Sequence, residues 1–137
     1  MYTIVYVSTV QPYVDETGIE AIFSHSERIN NKHKIGGILM YSEGNFFQIL
    51  EIEYAKKHII IDLFEKIKKD PRHYNVIKIF GKKTTAPSFS KYHTSFNVVK
   101  DSSNIRELFR FLKNEKKYNP EGYSEIAYLA QKFLALI

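Results

Sequence analysis

The chain of 137 residues contains no cysteine. That removes disulfides, cysteine-ligated zinc and thiol redox chemistry, and it fits a cytoplasmic protein. No apolar run approaches the roughly 20 residues that a membrane-spanning helix needs, so no membrane partner is expected. The N-terminal MYTIVYVS has neither a basic segment nor a small-residue cleavage site, and no signal peptide is expected. Internal repeats and low-complexity tracts are missing. So are an aromatic RNP-type motif and a helix-turn-helix pattern, which argues against a nucleic-acid partner.

What is present suffices for one domain with a real core: apolar residues make up 44% and aromatics 15%. The formal charge is +5, with lysines gathered at 56, 57, 66, 68 and 69 and again at 82 and 83. These read as solvated helix and loop faces, without the interleaved aromatics of a nucleic-acid platform. The histidines at 25, 33, 58, 73 and 93 show no tight ligand spacing, and no metal is expected.

The apolar pattern predicts strands at 2–8, 35–41, 45–51, 74–80 and 92–99, the first rich in β-branched and aromatic residues. The SEGN segment at 42–45 predicts a hairpin turn. Helices are predicted over 17–30, capped by Asp15 or Thr17, and over 53–69, stopping at Asp70-Pro71. The order β-α-β-β-α-β-β predicts an α+β, ferredoxin-like sandwich with its helices on one face of the sheet. Two more helices follow, NIRELFRFLKNE and SEIAYLAQKFLALI, joined by KKYNPEGY. The stripe Ile126, Leu129, Phe133, Leu134 and Ile137 on the second must be covered, by the free face of the sheet or by another subunit.

Polar groups interrupt this pattern. Along NFFQILE, residues 45–51, Gln48 shares its face with Phe46 and Leu50, while Phe47, Ile49 and Glu51 take the other, expected to be partly wet. Tyr6 lies between Ile4 and Ser8 on one face of the first strand, and Asn30-Asn31 ends the first helix. Ordinary readings exist: a tyrosine packed with its hydroxyl at the surface, an asparagine C-cap, a glutamine at an exposed edge. A buried, unpaired amide or hydroxyl costs roughly 1–3 kcal/mol, so such groups pair with one another, hold water or bind a ligand. Composition and periodicity therefore point to a polar cluster under two helices that suits a planar, amide-like ligand.

The succession IVYVS (4–8), INN (29–31), IGGILMYSEGNFFQILE (35–51) and DPRH (70–73) resembles the BLUF domain, the blue-light sensor that uses flavin. The resemblance covers roughly residues 1–97. It implies a non-covalently bound flavin, FAD with FMN possible, in which Tyr6 donates an electron and a proton through Gln48. Asn30 and Asn31 would hold the polar edge of the ring. Asp70, Arg72 and His73 would contact its lower edge or side chain, and Ile22, Phe23, Ile35 and Ile59 or Leu63 would sandwich it. A glutamine amide has donors and an acceptor that can exchange roles, so it can relay a proton and settle into a new hydrogen-bonding arrangement.

The chain departs from the family pattern in two places. Ile52 follows Leu50-Glu51 where the family has glycine. More consequential, Phe89, Tyr92 and Thr94 stand where the family has Phe-x-x-Trp-Ser-Met, and the sequence has no tryptophan. In the family these positions transmit the signal, so Tyr92 and Thr94 are the candidates here, Tyr92 also as a second electron donor. The expectation is a short, non-enzymatic photoreceptor over residues 1–100. Residues 101–137 would form an output and oligomerisation element, signalling to a separate protein or through a change of homo-oligomer. The alternatives are a flavin-free interaction or RNA-binding module, and a small hydrolase built on Arg72 with Asn30 or Asn31.

Overall fold

The computed structural model describes residues 1–84, 89, 96–100, 102–118 and 125–135. The elements are β1 (Tyr2–Val10), α1 (Glu16–Lys32), β2 (Gly36–Ser42), β3 (Asn45–Ile52), a single 3-10 turn (Tyr54–Lys56), α2 (Lys57–Lys68), β4 (His73–Lys83), β5 (Asn97–Val99), α3 (Ser102–Tyr118) and α4 (Glu125–Ala135). They build one five-stranded sheet in the order β4-β1-β3-β2-β5. Each neighbouring pair among the first four strands is antiparallel, and β5 joins β2 in parallel. This is the expected ferredoxin-like α+β arrangement with one added strand. Of the fifth strand expected over 92–99, residues 92–95 lie outside the described residues.

Local chemistry sets the boundaries. Asp15 caps α1, its Oδ1 accepting the Gly18 N–H at 2.9 Å. Glu43 (φ 47°) and Gly44 (φ 85°) form the two-residue turn between β2 and β3, both left-handed as the twist of a tight hairpin demands. Asp70-Pro71 ends α2, and β4 begins directly at His73.

The central strands of the sheet are buried on both faces, while the edge strand β4 is largely exposed. α1 and α2 cover the face carrying Ile4, Tyr6, Leu39, Phe46, Leu50 and Ile52. On the other face Val5, Ile38, Met40, Phe47 and Ile49 meet Leu108, Leu112, Ile126, Ala127 and Ala130 of α3 and α4. The stripe on α4 is thus covered by the sheet of the same chain, and the Phe133 ring stacks on Phe47 at 5.2 Å. Leu134 and Ile137 of that stripe cannot be placed, their side chains lying outside the described set. The second face of β3 is not wet, contrary to expectation: Phe47 and Glu51 are each 1% exposed. The C-terminal helices pack against Phe47 and Ile49 on this face.

Gly37 shows how closely the central strands approach. Its φ of +124° is left-handed, and a Cβ there would run into the Ile49 carbonyl oxygen. Gly37→Ala should therefore destabilise the fold by more than about 2 kcal/mol, combining strain with a backbone clash. Urea unfolding would read this, and a midpoint equal to that of the parent would contradict the register described.

Candidate functional site

A cavity of about 530 Å³ lies between α1 and α2 above β1, β3 and β2. Its inner end is formed by Tyr6, Asn30, Ile35, Leu39, Phe46 and Gln48, all buried. Its side walls are branched aliphatics, Ile22 and Ile29 from α1 and Ile59, Leu63 and Ile67 from α2. The helical repeat puts each set on the face that looks across the gap.

Strand register creates the central contact. Tyr6 and Gln48 are directly paired residues of β1 and β3. The Tyr6 hydroxyl donates to Gln48 Oε1 at 2.5 Å. Burial pushes the Tyr6 phenol well above its usual range, and the negative charge of Asp70 adds to the shift. The bond uses only the acceptor of the amide. The Gln48 Nε2 donors and the whole Asn30 side chain find no hydrogen-bond partner among the described residues, although each residue is 2% exposed. Beyond the bonds of α1 itself, the Asn30 backbone carbonyl accepts the Ile35 N–H at 2.8 Å.

At the end of α2, Asp70 and Arg72 close on each other. Arg72 Nε and Nη2 donate to the carboxylate at 3.0 and 2.6 Å, and the Arg72 backbone N–H adds a bond at 3.0 Å. These bonds hold the Asp70 carboxyl below its ordinary range and raise the Arg72 guanidinium. His73 is also committed. Its Nε2 meets the Ile67 carbonyl at 2.5 Å and its Nδ1 the Ser8 hydroxyl at 2.9 Å. A carbonyl only accepts, so Nε2 carries the hydrogen, and in the neutral ring Nδ1 accepts from Ser8.

The cavity brings together Tyr6, Gln48, Asn30, Ile22, Ile35, Asp70, Arg72 and His73 of the expected set. Two residues stand apart. Asn31 is exposed, and its Oδ1 accepts the Phe96 N–H at 2.8 Å, ahead of β5. One helical residue turns about 100°, so adjacent asparagines cannot face the same space. Phe23 does not line the cavity; its ring packs on Tyr41 and Phe46, with centroids 6.0 and 6.5 Å away. Tyr92 and Thr94 lie outside the described residues. The sequence reading missed His25, Ser26, His33, His58, Asp62 and Lys66, which also line the cavity. His58, Asp62 and Lys66 recur every four residues beside Ile59, Leu63 and Ile67, and that spacing is the signal that could have found them. Among the described residues no cluster of His, Asp and Glu is placed to hold a metal ion.

The family model described as sensors of blue light using FAD, BLUF, matches residues 1–95. The chain is 29% identical over 89 residues to the blue light- and temperature-regulated antirepressor BluF of Escherichia coli, covering 65% of this chain and 21% of that protein. It is 32% identical over 77 residues to the photoactivated adenylate cyclase subunit beta of Euglena longa, covering 56% and 9% respectively. It therefore spans only a minor part of either relative. Among solved structures, BlsA in its photo-activated state superposes with a TM-score of 0.65 at 27% identity, over 97% of this chain and 90% of that one. BlrP1 of Klebsiella pneumoniae gives 0.74 at 23% identity over 98% and 34%, a likeness of fold.

The Asp70–Arg72 pair has a pH signature. A carboxylate whose folded value is depressed contributes stability that is complete above its unfolded value, ~3.9, and is lost as pH falls through the folded one. The stability difference between the parent and Asp70→Asn should be constant above about pH 4 and shrink on further acidification. Urea titrations of both proteins from about pH 6 to about pH 2 measure it; a difference unchanged at the acid end would mean that the pair contributes nothing to folding.

Proposed function

The chain belongs to the BLUF family, sensors of blue light using FAD, and on that premise we propose that it holds a flavin between α1 and α2 and reports light by rearranging the Tyr6–Gln48 hydrogen bond. The observation that supports this most directly is the half-used amide of Gln48 at the inner end of the cavity. Together with the Asn30 side chain it leaves donors and an acceptor unpartnered at 2% exposure, which water or a polar ligand in the cavity must offset. The edge of an isoalloxazine ring, with carbonyls and ring nitrogens in one plane, has the complementary chemistry, and the aliphatic walls suit its faces. The residues present fit the group.

When bound, the flavin supplies blue absorption and an excited state that takes an electron. Tyr6 is suited to give that electron together with its proton, because burial keeps the phenol protonated in the dark. The proton leaves along the existing bond to Gln48 Oε1. Gln48 accepts at one end of its amide and donates at the other, so it can pass a proton across or exchange its ends by rotation. Either change alters which hydrogen bonds the amide offers to the cavity. FAD is the expected form, with FMN sharing the same ring. The cyclase and antirepressor activities belong to the named relatives; no catalytic role is proposed for this chain.

The hydrolase reading keeps only Asn30 of its groups. Arg72 is bound to Asp70, and Asn31 is turned to the Phe96 amide. The lysine-rich helix leaves the buried amides unexplained, which disfavours the RNA-binding module.

For output we propose a route along α1. Asn30 touches the cavity while its neighbour Asn31 holds the Phe96 amide, and β5 leads on towards α3. The Lys100–Glu20 ion pair, 2.8 Å, ties the same stretch to α1. The receiver would be a partner protein or another copy of the chain.

Two experiments test this. Tyr6→Phe and Gln48→Leu should each still bind flavin yet lose the small, dark-reversible red shift of its absorption under blue light. A shift retained in both would sink the relay. Asn31→Ala should keep the red shift but lose any light-dependent change in hydrogen exchange at the Phe96 and Val98 amides; an undiminished change would exclude Asn31 from the route.

A further inference from the structure

The inner end of the cavity is buried and uncharged, whereas its rim is exposed and titratable. On the rim Lys66 and Asp62 of α2 carry opposite charges, and Asp70 with Arg72 forms a closed pair. His73 is engaged at both ring nitrogens by Ser8 and Ile67. What remains to set the sign of the rim is three exposed imidazoles, His25 and His33 from α1 and His58 from α2. With all three neutral the formal rim charge cancels, and each proton taken up adds one positive charge. Histidine is the side chain whose charge ordinarily changes between about pH 5 and 8.

The three are not equivalent. Arg28 Nη2 lies 3.3 Å from His25 Nδ1 and donates to it, so that ring nitrogen is already engaged. His33 is the C-cap of α1. His58 stands in the first turn of α2, which has no acidic residue and no side-chain cap and so favours an anion nearby. Topology brings these two helix ends to the same end of the sheet. α1 exits into Gly36, which pairs with Glu51, and β3 leads from Glu51 into α2. The neighbouring cations are spoken for or fixed: Lys56 pairs with Glu53, Lys57 donates to the Tyr54 hydroxyl, and Lys32 and Lys34 flank His33 as permanent charges. A bound anion favours a proton on any imidazole beside it, so anion binding and proton uptake are coupled.

We propose that His33 and His58 form a proton-dependent seat for the phosphate groups of a flavin nucleotide, so that the site prefers phosphorylated flavin to riboflavin and prefers it more strongly on acidification. The proposal rests on reading the cavity as a flavin site. The ring meets the amides at the inner end, which leaves the ribityl tail to leave by the rim. FAD is the better probe than FMN, because a phosphate monoester itself takes up a proton near pH 6 whereas the diphosphate bridge of FAD stays charged.

The test is the ratio of FAD to riboflavin affinity, measured by titration of the full chain stripped of flavin, at about pH 5.5 and about pH 8. The ratio should be larger at the lower pH by about tenfold, the scale of gaining a charge-assisted contact. In the double variant His33→Gln/His58→Gln it should become the same at both pH values. A ratio that does not move with pH in the parent, or that moves equally in the double variant, overturns the phosphate seat while leaving the flavin site intact. Failure of both flavins to bind at either pH overturns the site and the seat together.

Discussion

Gln48 carries a primary amide into a strand whose other inward positions, Phe46, Leu50 and Ile52, are apolar, and the Tyr6 hydroxyl answers only one end of it. Every part of the site depends on that partial satisfaction. If the amide were fully bonded within the chain it would be a structural polar contact, worth about 1 kcal/mol and silent. With its donors open at the inner end of a cavity it is available to any polar group that enters there. The strand register that makes Tyr6 and Gln48 direct neighbours is in turn fixed by alternation, because a slip of one residue would exchange the two buried faces. Both faces of β3 are filled, so that slip has no stable alternative.

The burial of both faces also decides what α3 and α4 are for structurally. Phe47 and Ile49 would stand in water without Leu108, Leu112 and Ile126. Removing each such side chain from water contributes about 1.5–3 kcal/mol, which makes these helices part of the core that holds Gln48 in place.

Much of this could be read from the sequence, for identifiable reasons. The period-two pattern of NFFQILE and the SEGN turn placed Gln48 and the hairpin correctly, because both signals are local. Asp15 as a cap and Asp70-Pro71 as a stop are local too. What failed was everything set by tertiary context. Glu51 looks wet in a strand taken alone and is 1% exposed in the folded chain, and Phe47 on the same face is covered by two later helices. Asn30 and Asn31 look like a unit in sequence, yet the turn of the helix sends one to the cavity and the other to Phe96. Phe23 fits a sandwiching role by position but is taken up by Tyr41 and Phe46. The rim histidines were passed over because they were searched for metal spacing, whereas their common feature is the cavity they line.

Two physical links join the cavity to the C-terminal helices, and they differ in stiffness. The first is β3 itself: one residue from Gln48, the Phe47 ring stacks on Phe133 of α4. This passes through close-packed core, which resists displacement and can transmit only small shifts. The second is the partly exposed bond from Asn31 to the Phe96 amide, with the exposed Lys100–Glu20 pair beside it. A single bond of that kind is worth about 1 kcal/mol, and an exposed ion pair about as much or less, so both can open at modest cost. A rearranged amide changes the local energy by the same order. On the proposed function the soft link is therefore the one whose equilibrium a rearranged hydrogen bond could move, while the stiff one holds the sheet fixed.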